Sequence, residues 1–120
     1  MKATIIGAGN IGMALADGLI RSKSCLVQDI TLTRRSTTSL DEYNKKGFAV
    51  TTDNSAAIRD ADIIFLCILP QQLNKVLEEI KPAFISERQL IVSVVTGVHT
   101  DDISKQLTEN VRVIRAMPNT

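Results

Sequence analysis

Short apolar segments alternate along the chain with longer segments in which apolar residues recur every third or fourth position. The short segments predict six strands: Ala3–Ile6, Ile30–Thr33, Phe48–Thr51, Asp62–Leu69, Leu90–Val95 and Val111–Ala116. The segments between them predict five helices: Asn10–Arg21, Thr38–Lys46, Ser55–Asp60, Leu73–Ile80 and Asp101–Leu107. Because strands and helices alternate throughout, we expect βαβ units that build a parallel sheet.

Two of the predicted strands are apolar almost without interruption. The runs Ile63–Leu69 and Leu90–Val95 do not alternate with polar residues, which favours strands covered by helices on both faces. The first helix carries an apolar stripe of Ile11, Ala14, Leu15, Gly18 and Leu19, and the fourth carries Leu73, Val76, Leu77 and Ile80. Asn54-Ser55 and Asp101 are predicted to cap the helices that follow them.

A glycine-rich turn lies between the first strand and the first helix. Its residues are Ile6, Gly7, Ala8, Gly9, Asn10, Ile11 and Gly12. In a dinucleotide-binding turn, Gly7 would allow the tight turn, Gly9 would let a pyrophosphate approach the backbone, and Gly12 would let the helix pack closely on the strand. The free N–H groups at the start of the helix would face the phosphates. The sequence therefore predicts an α/β fold with a doubly wound parallel sheet, a Rossmann-type dinucleotide-binding domain.

Composition agrees with a single domain over residues 1–120. The chain is 44% hydrophobic and 22% charged, and is long enough to bury a core without cross-links. A net charge of +1 argues against bulk attraction to nucleic acid or to an anionic membrane. The run Ile63–Leu69 is too short to span a bilayer, and the first residues do not resemble a secretory signal.

The metal-binding and nucleophilic residue types are sparse. Cys25 and Cys67 are expected to be free thiols in a reducing compartment, which favours a cytoplasmic location. Cys67 falls within a predicted buried strand and Cys25 within a predicted loop. The single histidine, His99, is expected in a solvated loop, and no metal-ligand spacing is present.

The loop after the second strand predicts which dinucleotide is bound. An acid there, about 20 residues past the glycines, would accept hydrogen bonds from the adenosine ribose and repel a 2′-phosphate. This chain has Thr33, Arg34 and Arg35 instead, and no acid before Asp41. Guanidinium groups suit a phosphate, so NADP(H) is favoured over NAD(H). We expect Arg34 to be the main phosphate ligand, with Arg35 a second ligand or stacked on the adenine.

Four ordered motifs extend this picture: Ile6–Gly12, Asp62–Leu66 leading to Pro70-Gln71, Ser93 to Gly97-Val98, and Arg112–Thr120. In these motifs the whole chain resembles the N-terminal domain of pyrroline-5-carboxylate reductases. That family continues into a helical domain that forms the dimer and holds much of the substrate site. The resemblance therefore implies an NADP-binding domain of a homo-oligomeric enzyme that makes proline from 1-pyrroline-5-carboxylate, an imino acid.

The resemblance also assigns roles to individual positions. It implies pyrophosphate contacts along Ile6–Ile11 and adenosine-phosphate contacts at Arg34 and Arg35. Further cofactor contacts would come from Thr33, Asn54, Cys67, Ile68, Leu69, Pro70, Val95, Thr96 and Gly97. Met117, Pro118 and Asn119 would lie near the nicotinamide and the substrate, while the catalytic acid stays unassigned. The chain alone is expected to bind NADPH weakly and to show no turnover.

Two departures from the family leave other functions open. Relatives usually have a lysine where this chain has Leu69, and Ala-Ala where it has Val95-Thr96. The bulkier pair would narrow the space for the nicotinamide. The alternatives are the cofactor domain of a β-hydroxyacid dehydrogenase or of an F420-dependent NADP reductase, or a non-catalytic dinucleotide sensor.

Overall fold

A computed structural model describes residues 1–34, 38–108 and 110–116, and within them strands and helices alternate as predicted. The strands are β1 (Ala3–Ile6), β2 (Ile30–Thr33), β3 (Ala49–Thr51), β4 (Ile63–Leu66), β5 (Leu90–Ser93) and β6 (Arg112–Arg115). The helices are α1 (Asn10–Arg21), α2 (Thr38–Lys45), α3 (Asn54–Ile58), α4 (Leu73–Ile80) and α5 (Thr100–Ser104). Short 3-10 turns cover Val27–Asp29, Pro70–Gln72 and Lys81–Ala83.

The six strands form one parallel sheet in the order β3-β2-β1-β4-β5-β6. The direction of winding reverses between β1 and β4, which are neighbours in the sheet. Ile6, the last residue of β1, is in register with Thr33 and with Leu66, so three strands end at the same edge. The doubly wound parallel sheet expected from the sequence is confirmed, and its switch point lies directly above β1 and β4.

Each face of the sheet carries its own hydrophobic core. On the side of α1 and α2, Ile5, Leu32 and Phe65 are buried together. On the other side, α3, α4 and α5 close over a larger cluster that includes Ile64, Leu66, Leu77, Ile80, Ile91 and Ile103. Among the described residues, no helix is both long and apolar enough to cross a bilayer.

The predicted strands β3 to β6 extend beyond the observed ones. Asp62 donates its backbone N–H to Lys2 just before β4, and the Cys67 N–H donates to the Ile6 carbonyl just after it. Single backbone hydrogen bonds to the neighbouring strand therefore continue past both ends of β4. The regular strand is shorter than predicted because the backbone turns away into the loops at the sheet edge. The predicted last helix is likewise longer than α5, which ends at Ser104.

Two expectations about burial are wrong in part. On α1 the fully buried residues are Gly12 and Ala16, whereas Ile11, Ala14 and Gly18 are exposed. The periodicity was correct, but the face that meets the sheet is rotated so that its smallest residues touch the strands. On β5, Leu90 and Val92 are only half-buried, so this strand is not covered on both faces.

The helix caps also differ from those predicted. Asp53, not Asn54 or Ser55, caps α3, since its side chain accepts the backbone N–H of Ala56 at 3.1 Å. The N-cap of α5 is His99 rather than Asp101, and the His99 backbone N–H donates to Asp102 at 3.3 Å. Each cap lies one or two positions before the expected residue.

One polar side chain is completely enclosed beneath α3. Gln89 is fully buried, and its Nε2 donates to the carbonyls of Ile58 and Ala61 at 2.5 and 3.0 Å. Its Oε1 accepts the backbone N–H of Ile85 at 2.9 Å. Gln89 thus satisfies three backbone groups that join the end of α3 to the loop before β5.

Replacement of Gln89 should therefore destabilise the domain without emptying its core. Gln89→Leu removes the side-chain partner of the Ala61 carbonyl and of the Ile85 N–H group, and leaves the Ile58 carbonyl with the Ala61 N–H alone. This should lower the free energy of unfolding by about 1–3 kcal/mol. Urea unfolding followed by circular dichroism measures this change. Gln28→Leu, at an exposed position, is the matched control and should change stability little. Equal stability of the two variants would contradict the role assigned to Gln89.

Candidate dinucleotide-binding site

The turn after β1 is held between the ends of β2 and β4. The backbone N–H groups of Gly7 and Ala8 both donate to the Thr33 carbonyl, at 3.1 and 2.9 Å. Gly7 has a φ of +89°, and a Cβ there would lie 2.4 Å from the carbonyl oxygen of Cys67. Only glycine fits this position, because both the backbone conformation and the contact with β4 exclude a side chain.

The other two glycines of the turn have different surroundings. A Cβ on Gly12 would lie 2.9 Å from the Gly7 carbonyl oxygen and 3.0 Å from the Ile5 side chain. A Cβ on Gly9 would meet nothing within 4 Å. Gly12 therefore permits close packing of the helix on the strand, while Gly9 leaves open space over the backbone. These are the local geometries that the glycine pattern predicted.

The start of α1 is well suited to an anion. Gly9 is its N-cap and makes no side-chain capping bond, and the first turn holds no acidic residue. The first regular helical bond runs from the Met13 N–H to the Gly9 carbonyl at 2.9 Å, so the N–H groups before Met13 lie ahead of the helical ladder. The positive end of the helix dipole adds to the attraction.

A cleft of about 840 Å³ opens above the switch point, beside this turn. Most of the predicted cofactor-binding residues line it: Ile6, Gly7, Gly9, Ile11, Thr33, Arg34, Asn54, Cys67, Ile68, Leu69, Pro70 and Thr96. They come from the ends of four adjacent strands and the starts of the following helices. The structure thus brings residues that are far apart in sequence into one cleft, at the edge where ligands bind in this class of sheet.

Several predicted residues do not line the cleft. The side chains of Ala8 and Val95 are buried in the cores, and Gly12 lies on the buried face of α1. Since Val95 points into the core, it cannot narrow the nicotinamide space as expected, and of that pair only Thr96 lines the cleft. Asn10 and Gly97 are exposed outside the lining.

Four further predicted positions cannot be compared with the cleft. Arg35, Met117, Pro118 and Asn119 lie outside the described residues. The assignments made for them stay predictions.

Sequence reasoning missed one whole wall of the cleft. The buried stripe of α4 was predicted correctly, but its neighbouring edge faces the cleft with Lys75 and Glu79, beside Val76 of the stripe and Gln72 at the N-cap. These positions have the helical spacing i, i+3, i+4 and i+7, and this spacing was the signal that could have revealed them. Thr52 and Val94 complete the lining.

Asn54 connects two walls of the cleft. It is the first residue of α3, and its Nδ2 donates to Oε2 of Glu79 on α4 at 2.9 Å. Because Asp53 caps α3, the side chain of Asn54 is not occupied with the helix terminus. The sequence left open whether Asn54 caps the helix or lines the cleft. In the structure it lines the cleft, and Asp53 is the cap.

Leu69 forms the apolar mouth of the cleft. It is 57% exposed, although it follows a buried strand. Its backbone N–H donates to Oε1 of Gln72 at 3.0 Å, which closes the turn Pro70–Gln72 and fixes how the loop leaves β4. An exposed leucine held on a closed turn gives the cleft a hydrophobic rim.

The polar candidates for other chemistry lie elsewhere. His99 is exposed at the start of α5, as expected for a solvated loop histidine. Within the described parts of the chain, no group of three or more His, Cys, Asp or Glu residues could hold a metal ion. Both thiols are free; Cys25 is buried in the loop after α1, and Cys67 follows β4 at the cleft wall.

Comparison with known proteins agrees with this geometry, which defines a dinucleotide-binding domain of the Rossmann class. Residues 2–97 match the protein family described as "NADP oxidoreductase coenzyme F420-dependent". This chain belongs to that family, and the predicted cofactor, NADP(H), is the dinucleotide that the family description names.

The curated relatives carry the name that the sequence motifs suggested. The chain is 38% identical to pyrroline-5-carboxylate reductase 1 of Dictyostelium discoideum over 97% of its own length and 21% of the relative. It is 35% identical to the pyrroline-5-carboxylate reductase of Methanosarcina acetivorans, over 98% of this chain and 44% of the relative. The chain thus spans less than half the length of these relatives, and the resemblance to pyrroline-5-carboxylate reductases is confirmed.

A solved structure shows the same fold. The pyrroline-5-carboxylate reductase of Coxiella burnetii superimposes with a TM-score of 0.91 and is 36% identical over 99% of this chain and 44% of that protein. The arrangement of sheet and helices described above is therefore that of a known reductase domain.

The chemistry of Cys67 gives a test of the cleft wall. Burial raises the pKa of this thiol from 9.0 to about 12, so the neutral form is favoured in the folded state. The contribution of the protonated thiol to the free energy of unfolding is fully present below pH 9. It is lost as the pH rises towards 12, because the thiol of the unfolded chain ionises first. In a Cys25→Ser variant at pH 8, iodoacetamide should modify folded Cys67 at least about a hundredfold more slowly than the urea-unfolded chain, since only thiolate reacts. Similar rates in both states would contradict the raised pKa of this half-buried thiol.

Proposed function

We propose that this chain is the NADP(H)-binding domain of a pyrroline-5-carboxylate reductase. One observation carries the proposal: the glycine turn, with open space over Gly9, shares a single cleft with Arg34. The names of the curated relatives support the same reaction. The whole enzyme would act on a small imino acid in the cytoplasm and would be a homo-oligomer, as the resemblance implies.

The cleft residues fit the parts of the dinucleotide in order. The open backbone at Gly9 and the start of α1 suit the pyrophosphate. Half-buried Arg34, at the end of β2, suits a 2′-phosphate because its guanidinium can bind phosphate in a bidentate way. The apolar rim at Leu69 and Pro70 would lie against the nicotinamide half.

The reaction would divide between cofactor and chain. Bound NADPH would supply a hydride for the C=N carbon of 1-pyrroline-5-carboxylate, and the ring nitrogen would take its proton from water. Leu69 and Val94 would exclude water from that end of the cleft, since both line it with apolar side chains. Thr96 is exposed, carries a hydroxyl beside β5, and would donate a hydrogen bond to the substrate nitrogen. Met117, Pro118 and Asn119 would contribute substrate contacts.

A second candidate follows from the family description. It names coenzyme F420, so the partner of the dinucleotide could be a deazaflavin rather than an imine. Assays of a protein that contains this chain, with NADPH and 1-pyrroline-5-carboxylate in one arm and NADP with reduced F420 in the other, separate the two. Proline formation supports the reductase, and activity in the F420 arm alone overturns it.

Substitution of Gly9 tests the dinucleotide site without harming the fold. Gly9→Ala adds a Cβ into open space at a φ of −90°, so stability should stay within about 0.5 kcal/mol. The same methyl group would occupy the space that the pyrophosphate needs, and should weaken NADPH binding at least about tenfold in calorimetric titration. Gly18→Ala, also in open space on α1, is the control and should bind normally. Normal binding by Gly9→Ala would contradict the proposed site.

Arg34 decides between the two dinucleotides. Loss of a charge-assisted phosphate contact is worth about 1.5–3 kcal/mol, so Arg34→Ala should weaken NADPH binding roughly 10- to 100-fold. NADH binding should change little, because NADH lacks the 2′-phosphate. Arg21→Ala, at the exposed far end of α1, is the control for a lost positive charge. Parallel titrations with both dinucleotides measure the effect, and an equal loss for both would refute the assignment of Arg34.

A further inference from the structure

An exposed glutamate, Glu79, lies on the cleft wall, where its negative charge is unfavourable for an anionic ligand. Glu79 and Lys75 occupy positions i+4 and i of α4 and both line the cleft. Both are exposed, so neither contributes to the hydrophobic core. A carboxylate in this position would repel the phosphates of a dinucleotide. The hydrogen bond that Glu79 accepts from Asn54 indicates what the carboxylate does there.

The hydrogen bond fixes the orientation of the Asn54 amide. A carboxylate can only accept hydrogen bonds, so the group that faces Glu79 must be the Nδ2 of Asn54. The carbonyl oxygen, Oδ1, is then not the atom that contacts Glu79, and it accepts no hydrogen bond from the described residues. An oriented acceptor at the cleft wall suits a hydroxyl donor such as a ribose hydroxyl.

Neighbouring groups explain how the cleft tolerates the carboxylate. Lys75 lies one helical turn before Glu79, a spacing at which side chains are about 5–6 Å apart at Cβ. Its positive charge offsets the negative charge of Glu79 towards an anionic ligand. Since Asp53 caps α3, the contact between Asn54 and Glu79 is not needed to complete that helix.

We propose that Glu79 is a positioning residue for the dinucleotide: it holds the Asn54 amide so that Oδ1 accepts a ribose hydroxyl of the cofactor. The proposal rests on the function proposed above, since it requires a dinucleotide in this cleft. It assigns Glu79 no direct contact with the reacting atoms. The hydroxyl concerned is one that NADPH and NADH share, so both dinucleotides depend on the contact.

A double-mutant cycle on the 120-residue chain tests the proposal. Glu79→Ala and Asn54→Ala should each weaken NADPH and NADH binding about three- to tenfold, the effect of one hydrogen bond. The double variant should bind no more weakly than Asn54→Ala alone, because both changes remove the same contact. Glu79→Gln should restore binding to near the wild-type value, since its side-chain oxygen still accepts from Nδ2.

Controls separate positioning from general effects of charge or stability. Glu78→Ala removes the adjacent exposed carboxylate of α4 and should leave both affinities unchanged. Thermal unfolding of Glu79→Ala should match that of Glu78→Ala, because an exposed hydrogen bond contributes little to stability. A lowered melting temperature with weak binding in Glu79→Ala alone would assign Glu79 a structural role and overturn the proposal.

The remaining outcomes are equally decisive. Unchanged binding by Glu79→Ala, additive losses in the double variant, or failure of Glu79→Gln to restore binding would each overturn the positioning role. If wild-type protein binds NADPH and Gly9→Ala does not, such a failure concerns Glu79 only. If the wild type binds neither dinucleotide, the proposed function fails and the role of Glu79 fails with it.

Discussion

The architecture of the cleft depends on one backbone contact, between the turn after β1 and the end of β4. A Cβ on Gly7 would lie 2.4 Å from the Cys67 carbonyl oxygen, so the turn passes too close to the end of β4 for any side chain. The Thr33 carbonyl holds the turn from the other side by accepting two N–H groups. Because the turn is fixed between β2 and β4, α1 must begin directly above the switch point. The open backbone at Gly9 is a consequence of this placement.

The opposite wall of the cleft depends on contacts between side chains rather than on backbone approach. The hydrogen bond from Asn54 to Glu79 joins α3 to α4, and Gln72 closes the loop that leads into α4. Beneath them, the Thr4 hydroxyl donates to the Ala57 carbonyl at 2.6 Å and Gln89 binds the end of α3. The glycine turn is therefore a rigid backbone element, whereas the facing wall can be adjusted by substitution of single side chains. Differences in ligand preference are easier to introduce on that wall.

Much of the site was predictable because its chemistry depends on local sequence. The roles of Gly7, Gly9 and Gly12 follow from their spacing after a strand, and the bounds of β1, β2, α1 and α4 agree with the structure. The rotation of α1 was not predictable, because the neighbouring stripes that contain Ile11 and Ala16 have the same period and only the sheet decides which stripe is buried. The wall at Lys75 and Glu79 was missed for a related reason. Polar residues on an amphipathic helix are expected to face water, and only the fold shows that this edge faces a cleft.

The two incompletely covered parts of the sheet show how far hydrophobic pattern predicts burial. On the side of α3, the outer strands present Thr31, Ala49 and Thr51, small or polar residues that can remain half-exposed. On the side of α1, β5 and β6 present Val92 and Ile114 in register, and Ile114 is 52% exposed. The first region has a composition suited to water, so its partial exposure was readable from sequence. The second has the composition of a buried strand, and its apolar run predicted coverage that the described residues do not provide. The apolar pattern of a strand thus indicates which of its faces can be buried. The topology of the chain determines which of those faces a helix covers.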